Sequence, residues 1–216
     1  MRKVNSRFAG YQLILPVFLL LLCPALGVAD SAGIQSFTNP VVWPNSDNED
    51  WSLGWEFAVN GSVTIDALGY NYFGVPLNNN HDVGVFNSSG TLLGSVTVSN
   101  ASTLFNGYLY TSLGAPLVLG SGDYWIAGTT LGLNDGWIYQ ADNIVTAASI
   151  TYLESWFTAG NGGVLSFPST DASGRQYLPV NFTIPSGTTT PEPGTAALLA
   201  TALLGIGLLA HHIKQG

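Results

Sequence analysis

The segment Trp51-Ser-Leu-Gly-Trp-Glu-Phe-Ala-Val-Asn-Gly-Ser-Val-Thr-Ile-Asp-Ala67 decides the fold class of this chain. Trp51, Leu53, Trp55, Phe57 and Val59 alternate with smaller or polar residues. Side chains two apart share a face only in an extended chain, so this is the pattern of a half-buried strand whose Trp51 and Trp55 face a core. Asn60-Gly61 then predicts a turn into a second strand, Val63-Thr-Ile65-Asp-Ala67.

The same texture extends outward. Residues 82–86 and 91–98, joined by Asn87-Ser88-Ser89-Gly90, predict a hairpin. Further strands are expected at 107–113, 116–119, 123–129, 136–140, 148–153 and 176–184, separated by Gly, Asn, Ser and Thr. No stretch of 32–185 carries a helical period. Short strands at this spacing predict an all-β domain over 32–185, a two-sheet β-sandwich of jelly-roll type.

Charge separates this middle from the two ends. Charged residues are 8% of the chain, against about 25% in an average soluble protein. Arg2, Lys3, Arg7 and Lys214 flank apolar terminal runs, and Arg175 is the single base between them. All thirteen acids fall between Asp30 and Glu192, so the middle is far more acidic than the whole-chain charge of −8 suggests. A field of that sign repels phosphate backbones and argues against a nucleic-acid partner. Cys23, the one cysteine, lies in the N-terminal apolar run, so the middle has no thiol for a disulfide, a metal or nucleophilic attack. Leu-Leu-Leu-Cys at 20–23 is a poor lipoprotein box, because Leu22 stands where a small residue is needed and Pro24 follows.

The N-terminus reads as a signal peptide over 1–29: a basic start, an apolar run over 11–22, and Gly27-Val28-Ala29 as a small-x-small cleavage site. Pro16 and Pro24 favour this over an uncleaved anchor. At the other end, a Thr/Pro linker over 186–194 carries Pro191-Glu192-Pro193, and an uncharged run over 195–210 precedes a short basic tail over 211–216 with His211, His212 and Lys214. A helix over 195–210 would be roughly 24 Å long at 1.5 Å per residue, short of a hydrocarbon core of about 30 Å. That length suits a transient transmembrane sorting helix better than a permanent anchor.

This order of linker, motif, apolar run and basic end resembles the PEP-CTERM sorting domain of exopolysaccharide-producing Gram-negative bacteria. The resemblance implies that Pro191, Glu192 and Pro193 are the recognition motif and that an exosortase-type membrane protease is the partner. It also implies export, inner-membrane anchoring before processing, and release to the cell surface or extracellular matrix. The family usually ends in several arginines, which this chain replaces with two histidines and a lysine. Residues 51 to about 130 also resemble a family of extracellular domains of unknown function found ahead of such tails. That likeness is carried by the Trp51 segment, by His81-Asp-Val-Gly-Val-Phe-Asn-Ser-Ser-Gly-Thr-Leu-Leu and by Leu117-Val-Leu-Gly-Ser-Gly-Asp-Tyr-Trp-Ile. It implies a sandwich and no particular chemistry.

Candidate sites are few. The loop 45–50 gathers Asp47, Glu49 and Asp50, hard oxygen donors that calcium prefers, without a regular calcium-loop spacing; it reads first as an acidic solvated turn and second as a calcium site. No other cofactor is suggested. His81 is the one histidine of the middle, and Asp82 beside it points to the opposite face of an extended segment, so the two do not form a dyad. Trp137, Tyr139 and Trp156 sit by Gly- and Asn-rich loops and are candidates for an aromatic platform that stacks on sugar rings. Asn60, Asn87, Asn100 and Asn181 head Asn-x-Ser/Thr triplets, read in a bacterial chain as ordinary loop and strand composition.

The sequence therefore points to a non-enzymatic exported surface or matrix protein in contact with exopolysaccharide. The alternative is a carbohydrate-binding module with a defined glycan. An exported hydrolase would need two carboxylates facing one cleft, and the sequence nominates no such pair.

Overall fold

The computed structural model describes residues 30–43, 50–130 and 135–186. The expected signal peptide, Pro191-Glu192-Pro193, the sorting helix, the basic tail and most of the acidic loop, with Asp47 and Glu49, lie outside these residues. The described part falls in one compact unit, Ala29–Ser186. Among the described residues there is no helix.

Eleven strands build the unit: β1 Ser31–Ala32, β2 Ile34–Trp43, β3 Trp51–Asn71, β4 His81–Asn87, β5 Leu92–Val98, β6 Thr103–Phe105, β7 Tyr108–Thr130, β8 Trp137–Thr146, β9 Ile150–Thr158, β10 Thr170–Asp171 and β11 Val180–Ile184. Nine form one antiparallel sheet with the path β1-β11-β3-β7-β4-β5, to which β6, β9 and β10 attach. The other sheet is the pair β2-β8. The fold is all-β and its sheets pack in two-sheet fashion around a shared core, in which Ile34 of β2 and Ile138 of β8 meet Trp55, Phe57 and Phe182.

The Trp51 segment does what its alternation predicts. Leu53, Trp55 and Phe57 are fully buried and Val59 nearly so. Phe182 stacks on Trp55 at 5.6 Å and lies 5.0 Å from Phe57. The Trp55 indole N–H donates to the Val180 carbonyl at 2.9 Å, so its one polar atom enters the core paired.

Asn60-Gly61 is not the expected hairpin turn. β3 runs through it with the same neighbour: Val59 pairs with Gly122 and Ser62 with Gly120, leaving two residues opposite one. This is a bulge, which bends a strand without ending it. Gly61 takes a φ of 95°, and the Ser121 hydroxyl oxygen accepts from its N–H at 3.1 Å. For the same reason the three strands expected over 107–129 are one strand, β7. Between Ile65 and Ala67 the partners on β7 jump from Leu117 to Ser112, so Pro116 falls where no ladder bond asks for its missing N–H.

The β4–β5 hairpin forms as predicted. The Asn87 side-chain oxygen accepts from the N–H groups of Ser89 and Thr91, at 3.1 and 2.9 Å, and Gly90 supplies a φ of 77°. The sequence pattern marks none of β1, β2, β6 and β10. The ladder between β2 and β8 changes register four times and Asn39 sits at positive φ, which erases the period-two signal along β2.

Candidate functional site

His81 opens β4 and is fully buried. Its ring stacks on Tyr70 of β3 at 3.7 Å with an interplanar angle of 3°. Nδ1 lies 2.7 Å from the Thr129 carbonyl oxygen and Nε2 lies 3.2 Å from Oδ2 of Asp135. Both oxygens are acceptors, and either ring nitrogen can serve as donor to the one it faces. Asp135, 3% exposed, also accepts the backbone N–H groups of Asn78 and Asn79 at 2.7 and 2.8 Å. Burial pushes its pKa up, but the bonds from His81, Asn78 and Asn79 and the attraction to His81 outweigh this and hold the carboxyl below its ordinary value. Asp82 is directed elsewhere and accepts from the Thr97 hydroxyl at 2.6 Å, as alternation requires. The Asn78-Asn79-Asn80-His81 run is thus a cradle that fastens the entry of β4 to Asp135, a partner 54 residues away that local sequence could not reveal.

The three aromatic residues named from the sequence do not share one surface. Trp137 is 4% exposed and packs with Leu53, Ala172 and Tyr177, and Tyr139 leans on the same cluster. Trp156 belongs to another cluster, with Phe86 and Trp125, where its ring meets Trp125 edge-on at 6.1 Å. Its indole N–H donates to Glu56 at 2.9 Å. Asp50, the described member of the acidic loop, is half-buried at the start of β3. Among the described residues no group of three His, Cys, Asp or Glu side chains is gathered to hold a metal.

The sheet does pair two carboxylates that sequence reading left scattered. Glu56 on β3 stands in register with Glu154 on β9. Burial raises the Glu56 pKa, the Trp156 bond opposes that, and the nearby charges of Asp123 and Glu154 raise it further. Like charges facing across two strands destabilise the pair of strands.

A groove lies where β1, β3, β6, β7 and β11 meet. One part, of about 490 Å³, is lined by Asp66, Tyr110, Ser112 and Thr183 among others; a second, of about 360 Å³, adjoins it at Asp30 and Phe105. Its floor follows from register. Thr183, Ala67 and Ser112 stand side by side on three adjacent strands, and the small Ala67 between two hydroxyl residues leaves a depression. Strict alternation would send Asp66 and Ala67 to opposite faces, yet both line the groove, because the ladder breaks between Ile65 and Ala67. The Thr183 hydroxyl donates to Asp66 at 2.6 Å.

One wall is the β6–β7 hairpin. Asn106 and Gly107 both have positive φ, 46° and 78°, the geometry that a two-residue Asn-Gly turn supplies. The Asn106 amide donates to the carbonyls of Ile34 and Gln35, which pins the hairpin tip to β2. Phe105, 38% exposed, is thereby held at the groove edge. Tyr110 lies across Gly69, where a Cβ would stand 2.6 Å from its ring. Tyr110 is 5% exposed and its hydroxyl has no hydrogen-bond partner. Burial and the neighbouring Tyr108 raise its pKa, so the phenol stays protonated and has a donor to offer. The dipeptide Asn106-Gly107 was the one sequence signal that could have located this wall.

No curated protein matches the chain. Residues 38–183, more than half of its length, match the domain of unknown function DUF4082. The match begins within β2 and ends within β11, so it takes in the His81 corner and most of the groove. This chain belongs to the DUF4082 family.

Proposed function

We propose that this chain is an exported surface or matrix protein whose β domain is carried out of the cell between two transport segments and contacts extracellular polysaccharide. Pro191, Glu192 and Pro193 act as the sorting motif for an exosortase-type protease in this reading, and residues 1–29 as the leader. The observation that carries it is the pairing of the domain's first and last strands. Ser31 of β1 stands opposite Ile184 of β11, so the chain enters and leaves the domain at neighbouring positions, with the expected leader just before and the Thr/Pro linker just after. A domain joined this way can be cut at both ends without disturbing any strand. The assignment of the sandwich to the jelly-roll type belongs to the same proposal, supported by the long bent strands β3 and β7.

Mass spectrometry of the protein recovered from an exosortase-bearing Gram-negative host tests this reading. The expected mature chain starts at Asp30 and ends at or near 191–193. Recovery of the intact polypeptide from the cytosol would overturn it.

A further inference from the structure

We propose that Asn106 is a modification site, at which loss of the side-chain amide releases the β6–β7 hairpin from β2 and is not reversed. The inference goes beyond the export reading and does not depend on it.

Asn-Gly pairs stand at 60–61, 106–107 and 161–162 among the described residues. A glycine after asparagine has no side chain to shield its backbone nitrogen, so that nitrogen can close on the asparagine side chain. At 106–107 the Gly107 nitrogen would bond to Cγ of Asn106, its proton would leave with the amide group as ammonia, and a cyclic imide would form. Water then opens the ring to aspartate or to the isomer whose chain runs through the side-chain carbon. Asn106 is exposed, and the Gly107 N–H has no hydrogen-bond partner among the described residues. The N–H of Gly61, in contrast, is held by the Ser121 hydroxyl oxygen at 3.1 Å.

What the amide touches sets Asn106 apart from the other two. The Asn60 amide donates to the Thr151 hydroxyl at 3.1 Å, and the Asn161 amide to the Ser52 hydroxyl at 2.8 Å. A hydroxyl can turn its proton towards a carboxylate, so an acid at either position keeps a partner. The Asn106 amide donates to the carbonyls of Ile34 and Gln35, at 3.3 and 3.1 Å, and a carbonyl oxygen only accepts. A carboxylate there faces two acceptors and shares that end of the groove with Asp30. Two attractions become repulsions, and the hairpin tip loses its hold on β2. The same bonds guard the amide while they last, because they hold the side chain against β2 and away from the Gly107 nitrogen. Conversion therefore follows detachment and then prevents reattachment.

Incubation of the full chain in detergent for several weeks in a mildly alkaline buffer, with and without urea, followed by peptide mass mapping, tests the site. Asn106 should convert in the folded chain about tenfold more slowly than in urea, the effect of bonds that must first open. Brief exposure to chymotrypsin then reports the hairpin through cleavage after Phe105. Asn106→Asp should raise that cleavage about tenfold over the wild type, whereas Asn60→Asp and Asn161→Asp should leave it within about twofold. In an aged wild-type sample the molecules cut first should be those that carry the acid at 106. The proposal is overturned if Asn106 keeps its amide in the folded chain while the unfolded chain converts, if Asn106→Asp leaves the cleavage rate unchanged, or if either of the other two variants raises it as much.

Discussion

The corner around His81 and the groove beside Tyr110 both take polar side chains out of water, and they differ in how much of that polarity is paired. In the corner, each ring nitrogen of His81 faces an oxygen, and the Asp135 oxygens also receive backbone N–H groups. Those bonds hold loop 78–80 and β4 in place, while the hydroxyl of Tyr70, whose ring stacks on His81, is buried without a partner. In the groove, the Tyr110 hydroxyl is buried without a partner, and Asp66, Ser112 and Thr183 line the depression together with Tyr110. Burial of polar atoms alone does not distinguish a structural device from a binding site.

The largest effect that could break this contrast is in the corner. Asp135→Ala removes the carboxylate that faces His81 Nε2 and accepts from the Asn78 and Asn79 backbone, so unfolding in urea should show a loss of roughly 3 kcal/mol. A loss below about 1 kcal/mol would mean that Asp135 does not fasten the corner. Next in size is Gly69→Ala, which drives a methyl group into the Tyr110 ring. Overpacking of this kind costs about 1–3 kcal/mol, and here it should also displace the wall of the groove.

Acid sharpens the contrast by direction. The folded state holds the Asp135 pKa below its ordinary 3.8, so the folded protein binds fewer protons there than the unfolded chain does. Its contribution is present above that ordinary value and is lost as pH falls through the folded one. The stability gap between the wild type and Asp135→Ala should therefore narrow in acid, whereas Tyr110→Phe should track the wild type across the same range. The smallest effect is on the third polar cluster. Glu154→Gln removes the like charge opposite Glu56 and should stabilise the protein by about 0.5 kcal/mol near neutral pH, with the gain fading once both carboxylates are protonated.

Much of this was legible and some was not, for reasons that particular residues make plain. The core face of β3 could be read because Leu53, Trp55, Phe57 and Val59 report their burial through a period of two. Asn60-Gly61 was misread because a turn and a bulge use the same positive-φ residue, and what separates them is whether the neighbouring strand follows, which no local window contains. The opposite placement of His81 and Asp82 was likewise readable, but Asp135 was not. Trp137 looks available because glycine and asparagine surround it in sequence, yet it opens β8 and packs against Leu53 and Tyr177.

By itself, the sequence determined that an all-β domain lies between two charge-flanked apolar ends, because alternation and charge placement are properties of neighbours along the chain. Only the tertiary structure decided which polar groups would meet. Ladder breaks at Asn60 and Asp66 rotate side chains between faces, and strand pairing joins residues as distant as Asp66 and Thr183. The groove exists because of those two operations, and neither leaves a periodic trace in the order of the amino acids.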